Sequence, residues 1–182
     1  TRYYESLQRS TSTDFKINKY VTNSATIDLS ASTSDELSVS YGMAYRASYC
    51  SANWIVYRLT DIMLMKAEAL VQLAVDRENG KDPKLSEAFK LVNAVNLRSN
   101  CDKNKVAVLD STLYTTKSTM NNLVMAERQR ELMFEGKRWF DLVRRARREG
   151  NTDYLVEQVK RKYTTNGSAV QSKLSRMEAI YW

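Results

Sequence analysis

One stretch constrains the fold of this chain more than any other: residues 127–148, ERQRELMFEGKRWFDLVRRARR. Its charged residues recur inside the apolar stripes of a helix, whereas a solvated helix carries them on a separate face. Residues of opposite charge also stand three or four positions apart, as neighbours on a helix surface do. These pairs are Glu127 with Arg130, Glu135 with Arg138, and Asp141 with Arg144 and Arg145. The pattern predicts a partly buried network of ion pairs that holds helices together.

Three other interpretations of this stretch stay open from the residues alone. Glu127, Glu131 and Glu135 repeat every four residues, as carboxylates do in helical di-metal sites, but those sites add histidine and this chain has none. Helix pairs could form a plain repeat adapter. Arginines at the end of the stretch could contact phosphate, although they also offset a helix dipole; they are Arg144, Arg145, Arg147 and Arg148. We predict no metal site, no cofactor and no catalytic residue.

Helical periodicity covers residues 54–163, which we interpret as a helical scaffold. Apolar residues step by three or four positions from Ile55 to about residue 78, which predicts an amphipathic helix buried nearly all round. Gly80, Asp82 and Pro83 suit a helix end, an N-cap and a first helical position, and a second helix follows to about residue 99. Two helices joined in this way form an antiparallel hairpin.

The C-terminal half of the chain continues the helical pattern. A third helix is predicted from a cap at Ser118 or Thr119, with a bend or break at Gly136, because glycine in a helix interior costs about 1 kcal/mol relative to alanine. Beyond the break, Trp139 and Phe140 join a broad apolar face, and one more short helix is predicted around residues 154–162. Residues 164–182 form a separate C-terminal segment, which we expect to be truncated.

Residues 1–53 are predicted to be an irregular segment with short strands. Alternating side chains indicate one strand within Asp14–Val21 and a second within Ala25–Ser30. The rest of the segment is rich in serine, threonine and asparagine, which favours loops.

Tyrosines near the end of this segment are the candidate ligand contacts. Tyr41, Tyr45 and Tyr49 crowd together before Trp54. An exposed aromatic ring has an apolar face that can cover the C–H face of a sugar ring. The alternative is that these side chains pack beneath an irregular loop, since burial of aromatic side chains is the ordinary case.

Composition limits the function without selecting it. The net charge of +7 is compatible with nucleic acid, anionic lipid or acidic ligands. Cys50 and Cys101 could form a disulfide or remain free thiols. The chain has no run of 18 or more apolar residues, so no transmembrane helix is predicted.

The stretch that opens this section resembles the C-terminal signature of the SusD/RagB family, the surface nutrient-binding lipoproteins of Gram-negative bacteria. The family pattern is roughly E-R-R-R-E-L-x-F-E-G-x-R-W-F-D-L-x-R, and this chain departs from it at Gln129, where arginine is common. The matching signature residues include Glu127, Arg128, Arg130, Glu131, Glu135, Gly136, Arg138, Trp139, Asp141 and Arg144.

Two further blocks extend the resemblance towards the N-terminus. YRLTDIMLMKAEAL is similar to the family's R-L-A-D/E-x-x-L-M-x-A-E-A-L, and LVNAVNLRS is similar to its I-N-x-V-R-x-R-A. In the second of these blocks, Asn96 replaces a usual arginine. The residues in register include Arg58, Glu68, Asn93 and Arg98. The three blocks follow the family order and cover about residues 54–148.

The resemblance implies a mainly α fold, a SusD-like superhelix of tetratricopeptide-like helix pairs, with residues 1–53 belonging to a larger, less regular domain. It implies a non-enzymatic protein at the cell surface, held on the outer membrane by a lipid anchor on an N-terminal cysteine that this chain lacks. Such a protein acts as the lid of a SusC-like TonB-dependent transporter and captures an oligosaccharide, or a peptide, before import. The signature residues are then scaffold, and the ligand contacts lie elsewhere.

A different class of function stays as the alternative. Helical repeats of basic character can serve as adapters that bind a protein or nucleic acid through a basic face. The resemblance implies no nucleic acid partner, so salt-dependent binding to DNA would favour the adapter.

Overall fold

A computed structural model gives the structure of this protein. It describes residues 55–77, 80–99, 108–161, 163 and 168–178, together with four short strands nearer the N-terminus. The fold is mainly α, as predicted, with six α-helices among the described residues. The chain divides into two compact units, residues 1–131 and 132–182. The boundaries predicted for the segments 1–53, 54–163 and 164–182 stay predictions.

The strands form two small antiparallel sheets in the first unit. Strand β1 (Leu7–Arg9) pairs with β2 (Phe15–Ile17), and β3 (Ala25–Ile27) pairs with β4 (Val39–Tyr41). In the second sheet, Ala25 is opposite Tyr41. Strands β2 and β3 lie within the two segments whose alternation indicates strands.

Three helices form the core of the first unit. They are α1 (Leu59–Leu73), α2 (Pro83–Ser99) and α3 (Lys117–Glu131), and a 3-10 helix at Ser111–Leu113 precedes α3. All three helices contribute to one buried apolar cluster, and burial of apolar surface stabilises by about 25 cal/mol per Å². Fully buried members include Leu64, Ala67, Val71, Leu85, Ala88, Val92, Met120 and Val124. Burial of this cluster is what mainly holds the three helices together.

Polar contacts at both ends of the helices fix their directions. Arg58, which precedes α1, donates to Glu131 Oε1 at the end of α3 at 2.6 Å, and Ser99 at the end of α2 donates to Glu131 Oε2 at 3.3 Å. At the opposite end, Lys117 Nζ donates to the carbonyl oxygen of Gln72 at 2.8 Å. Helix α1 therefore runs antiparallel to α2 and α3, and α1 with α2 forms the predicted hairpin.

Helix α1 is shorter than predicted at both ends. Its N-cap Arg58 and its C-cap Ala74 both have extended backbones. Beyond α1, the N–H of Val75 donates to Asp82 Oδ2 at 3.2 Å, while the N–H of Lys84 donates to Asp82 Oδ1 at 2.8 Å. Asp82 thus caps α2, as predicted, and also holds the chain that leaves α1.

Helix α1 is also less buried than predicted. Leu59, Ile62 and Leu73 are 75%, 49% and 66% exposed, while the core contacts of the helix use other residues. The prediction that this helix is buried nearly all round is therefore wrong.

Helix α3 begins earlier than predicted. Thr116 Oγ1 accepts from the N–H of Thr119 at 3.2 Å, and Thr119 Oγ1 accepts from the N–H of Thr116 at 3.3 Å. This reciprocal arrangement satisfies backbone donors that have no partner within the helix. The cap is therefore Thr116, and the prediction of Ser118 or Thr119 is wrong.

The second unit begins with a turn at residues 132–136. Phe134 (φ 66) and Gly136 (φ 71) both have left-handed backbones, which ends the helical path. The break predicted at Gly136 is therefore confirmed. Helices α4 (Arg138–Glu149) and α5 (Asp153–Lys160) follow.

Two features of the second unit differ from the predictions. Helix α6 (Ser168–Glu178) was not predicted, because Leu174 is its one buried residue among those described and no apolar period is visible. Trp139 and Phe140 are 46% and 68% exposed, so the buried face of α4 is narrower than predicted. It is formed by residues such as Leu142 and Ala146.

Candidate functional site

Most of the signature residues of the first unit meet where the start of α1 lies against the ends of α2 and α3. We call this set the charge cluster. Its members are Arg58, Asp61, Asn96, Arg98, Ser99, Glu127, Arg128, Arg130 and Glu131. They come from all three sequence blocks, so the contacts join segments that are far apart along the chain.

Two arginines converge on the carboxylate of Glu131. Its side chain is 2% exposed and accepts from Arg58 at 2.6 Å and from Arg98 at 2.5 Å. Arg58 also donates to the backbone carbonyl oxygen of Glu131 at 2.6 Å. The guanidinium fork suits this double contact, and it satisfies one of the carbonyl groups left open at the end of α3.

A second ion pair is buried more completely. Arg128 donates to Asp61 Oδ1 at 3.1 Å, and the two side chains are 3% and 1% exposed. Both charges have lost most of their hydration, so each depends on the other and on further hydrogen bonds.

The third carboxylate, Glu127, is fully buried at 0% exposure. Arg130 donates to its Oε2 from two nitrogens, at 2.6 and 3.2 Å, which is the pair predicted from the spacing. Asn96 of α2 donates to the same oxygen at 3.3 Å. Asn96, which replaces a usual arginine of the family pattern, therefore donates a hydrogen bond to a buried carboxylate.

The position of the charge cluster makes the arginines necessary. The ends of α2 and α3 carry partial negative charge, and carboxylates are unfavourable there. Glu127 and Glu131 both lie in the last turns of α3. The arginines supply the positive charge that this arrangement needs.

The second unit contains a separate set of charged contacts. Asp141, which is buried, accepts from Arg144 at 2.8 Å, as the spacing predicts. Arg145 pairs with Glu149 at 2.7 Å, and its guanidinium lies 3.6 Å from the ring centroid of Tyr154, where it makes a cation–π contact. The predicted contact of Arg145 with Asp141 stays a prediction.

The remaining signature residues lie at diverse positions. Glu135 is 2% exposed, and Arg138 donates to Gln158 Oε1 at 3.2 Å. Glu68 is buried in α1, and Asn93 is half-buried in α2. Gly136 ends the turn before α4, and Trp139 is exposed in the first turn of that helix.

Of the three candidate ligand tyrosines, the structure places the backbone of one. Tyr41 is the last residue of β4. Tyr45 and Tyr49 lie outside the described residues, as do Trp54, Cys50 and Cys101. Their assignment as ligand contacts stays a prediction.

The geometry does not arrange the carboxylates as a metal site. Glu127 and Glu131 lie on α3, but Glu135 follows in the turn, so the helical repeat of the three residues ends before its last member. Among the residues that the structure describes, no group of three or more His, Cys, Asp or Glu side chains is placed to hold a metal ion.

Sequence reasoning missed the long-range partners of the charge cluster. Spacing within residues 127–148 indicated contacts along one helix, whereas Glu131 pairs with Arg58, 73 positions earlier, and Arg128 with Asp61, 67 positions earlier. Asn96 and Ser99 were not expected to contact carboxylates at all. The available signal was the presence of Arg58, Asp61 and Arg98 in the two upstream blocks.

Comparison with known proteins agrees with the resemblance. A model described as the SusD family matches residues 1–181. SusD-like protein P38 of Formosa agariphila is 31% identical over 146 residues, which are 79% of this chain and 23% of that protein. SusD-like protein P2 of the same organism is 30% identical over 94 residues, 52% of this chain and 17% of that protein.

The chain thus spans about a quarter or less of the length of these relatives. No solved structure matches it significantly. The family match nevertheless covers nearly every residue, including all three blocks that build the charge cluster. This chain belongs to the SusD family.

Proposed function

We propose that this chain is part of a non-enzymatic protein that binds a glycan at the cell surface and delivers it to a SusC-like TonB-dependent importer. The observation that carries the proposal is the family match over residues 1–181. The charge cluster supports it, because its carboxylates are occupied by arginines and amides of the same chain. Carboxylates engaged in this way hold a fold together, which is the role expected of a scaffold.

The location proposed is the outer membrane, through a lipid anchor, with the protein closing over its transporter. Within the part of the chain that the structure describes, no helix has the length and apolar character needed to cross a bilayer. A lipid anchor would attach such a protein to the membrane without a transmembrane helix. The oligosaccharide, or a peptide in its place, would then be passed to the transporter.

Contacts to the ligand are proposed to lie outside the charge cluster. Tyr41, Tyr45 and Tyr49 remain the candidates in this chain, because exposed aromatic rings bind the apolar faces of sugars. The rest of the site would come from parts of the family fold beyond these 182 residues.

The arginine run offers limited support for a nucleic acid adapter. Arg145 is 8% exposed and lies against Tyr154, and Arg144 is paired with Asp141. Arg144 and Arg145 are therefore engaged within the chain. A phosphate-binding surface needs cationic side chains that can neutralise phosphates and so displace the counterions of the nucleic acid. We therefore propose the glycan function ahead of the adapter.

Affinity gel electrophoresis tests the proposal. The intact protein encoded by the gene is run through gels that contain neutral or uronate-rich polysaccharides, and its mobility is compared with that in a gel without polysaccharide. We expect retardation by at least one polysaccharide and no release of reducing ends. Cleavage of the polysaccharide, or binding of a DNA oligomer with a steep salt dependence and no glycan retardation, would contradict the proposal.

A tyrosine series locates the contacts. Tyr41→Ala, Tyr45→Ala and Tyr49→Ala are compared with Tyr57→Ala, which removes a tyrosine that is 69% exposed beyond the candidate segment. If the candidates contact the glycan, their loss weakens retardation while Tyr57→Ala does not. Equal mobility of all four variants would show that the three tyrosines do not contact the glycan. It would not contradict glycan binding, which the first experiment tests.

A further inference from the structure

The second unit carries most of the positive charge of the chain. Residues 132–182 contain 11 lysines and arginines and 6 aspartates and glutamates, so they contribute +5 of the net charge of +7. Ion pairs within the unit cannot cancel this excess, because each pair uses one charge of either sign. A ligand that approaches the second unit therefore meets a positive potential.

Burial of two carboxylates makes the accessible surface of this unit still more positive. Glu135 and Asp141 are each 2% exposed, so an approaching ligand contacts neither of them. Glu149 is paired with Arg145 on α4. Accessible negative charge is therefore sparse on this helix, whereas its arginines are numerous.

The outer side of α4 presents the densest group of these arginines. Arg147 and Arg148 follow Arg144 by three and four positions, which places the three side chains on one side of the helix, and all three are exposed. Arg144 is paired with Asp141 and ends the family signature. We call Arg147 and Arg148, which lie beyond the signature, the outer arginines. They also make contacts within the chain, and such contacts leave their charge in place.

The helix dipole explains only part of this group. The C-terminus of a helix carries about half a negative elementary charge, which a single cation offsets. Helix α1 has no basic residue in its last turn, and α2 has one, Arg98. Helix α4 has four arginines among its last six residues. The excess is available to a negatively charged ligand.

We propose that the outer arginines bind an anionic glycan, one that carries carboxylate or sulfate groups. This inference rests on the proposed function, which supplies the glycan, and it names the chemical class of that glycan. A guanidinium donates two parallel hydrogen bonds to a carboxylate, and a sulfate group presents its oxygens to the same fork. Nucleic acid fits less well, because its affinity comes from many phosphate contacts and the outer arginines are two.

Affinity gel electrophoresis of the intact protein encoded by the gene tests the inference. The gels contain polygalacturonate, which carries carboxylates, dextran sulfate, or dextran, the neutral polymer with the same backbone. Salt at about 0.15 M screens attraction between charges more than about 8 Å apart. We expect the dissociation constant for at least one anionic polymer to be at least about tenfold lower than that for dextran. The polymer that retards the protein more strongly distinguishes carboxylate from sulfate.

Two variants with the same change of charge locate the site. Arg147→Gln/Arg148→Gln removes the outer arginines, and Lys173→Gln/Arg176→Gln removes two exposed cations of α6 in the same unit. The first variant should raise the dissociation constant for the retarding anionic polymer at least about tenfold, and the second by less than about twofold. Because all four positions are exposed, both variants should melt within about 2 °C of wild type.

Different failures have different meanings. Retardation by dextran alone would overturn the inference and leave glycan binding intact. Equal losses in the two variants would overturn it by assigning the attraction to the overall charge of the unit. Tighter binding of a single-stranded DNA oligomer than of either anionic polymer would overturn it in favour of nucleic acid. Absence of retardation in every gel would contradict glycan binding itself.

Discussion

At the scale of single residues, the chain uses its charges as internal partners. Glu127, Glu131 and Asp61 are all nearly inaccessible to water, and arginine or amide donors reach each of them. Burial of such pairs need not add net stability, because desolvation opposes the attraction between the charges. These pairs are detected instead by the loss in the free energy of unfolding when one partner is removed.

The Asp61–Arg128 pair should show this penalty most clearly. Asp61→Ala leaves the guanidinium of Arg128 buried without its carboxylate, and we expect the free energy of unfolding to fall by about 3–5 kcal/mol. Glu157→Ala is the matched control, since it breaks an ion pair with Arg161 in which the side chains are 55% and 66% exposed. Its cost should stay below about 1 kcal/mol. Urea unfolding measures both, and similar losses would contradict the burial argument.

Asp82 gives a prediction about pH. Hydrogen bonds from the N–H groups of Lys84 and Val75 hold the pKa of Asp82 below its ordinary value. A carboxyl group with a lowered pKa in the folded state stabilises above its unfolded pKa of about 3.9, and the stabilisation is lost as pH falls through the folded value. Wild type should therefore exceed Asp82→Asn in stability at neutral pH.

The comparison is made by urea midpoints at several pH values. The difference between wild type and Asp82→Asn should shrink below about pH 4 and vanish in stronger acid. A difference that stays the same from neutral to acidic pH would show that the charge of Asp82 has no part in capping.

At the scale of elements, periodicity identified the helices and tertiary contacts decided their ends. Apolar residues near Ile55 fit the period of α1, but Arg58 is extended and its guanidinium is engaged by Glu131. Helix α6 escaped prediction because it buries so little apolar surface. Phe134 has a left-handed backbone that no propensity rule assigns to phenylalanine. The local sequence pattern does not predict these helix ends and backbone conformations, because tertiary contacts determine them.

Helix α4 offers a test of an element's end. Its C-cap Gly150 has φ 68, and a Cβ atom added at that position would have no atom outside the adjoining chain within 4 Å. Gly150→Ala should therefore cost about 1–2 kcal/mol from backbone conformation alone. Gly150→Asn should cost less, because asparagine tolerates the left-handed region. Thermal unfolding separates the two, and an equal loss would argue for a steric cause instead.

At the scale of the whole molecule, three distant blocks of sequence converge on one charge cluster. The sequence supported a mainly α fold with helix pairs and the family, whereas the partners of Glu131 and Asp61 required the structure. Asn96 shows most clearly what the sequence could not predict. Its departure from the family pattern is evident in the sequence, but its contact with Glu127 is evident only in the structure. The candidate ligand tyrosines stay a prediction for the same reason, since their neighbours along the chain do not define a site.

The central claim is that the signature residues hold the scaffold and do not bind the ligand. Glu131→Gln tests it in the intact protein, because it removes the charge on which Arg58 and Arg98 converge. The measurement pairs the melting temperature with the dissociation constant for the retarding polysaccharide, taken well below the melting temperature. We expect a clear fall in melting temperature and a dissociation constant within about twofold of wild type. Loss of glycan binding with an unchanged melting temperature would contradict the claim.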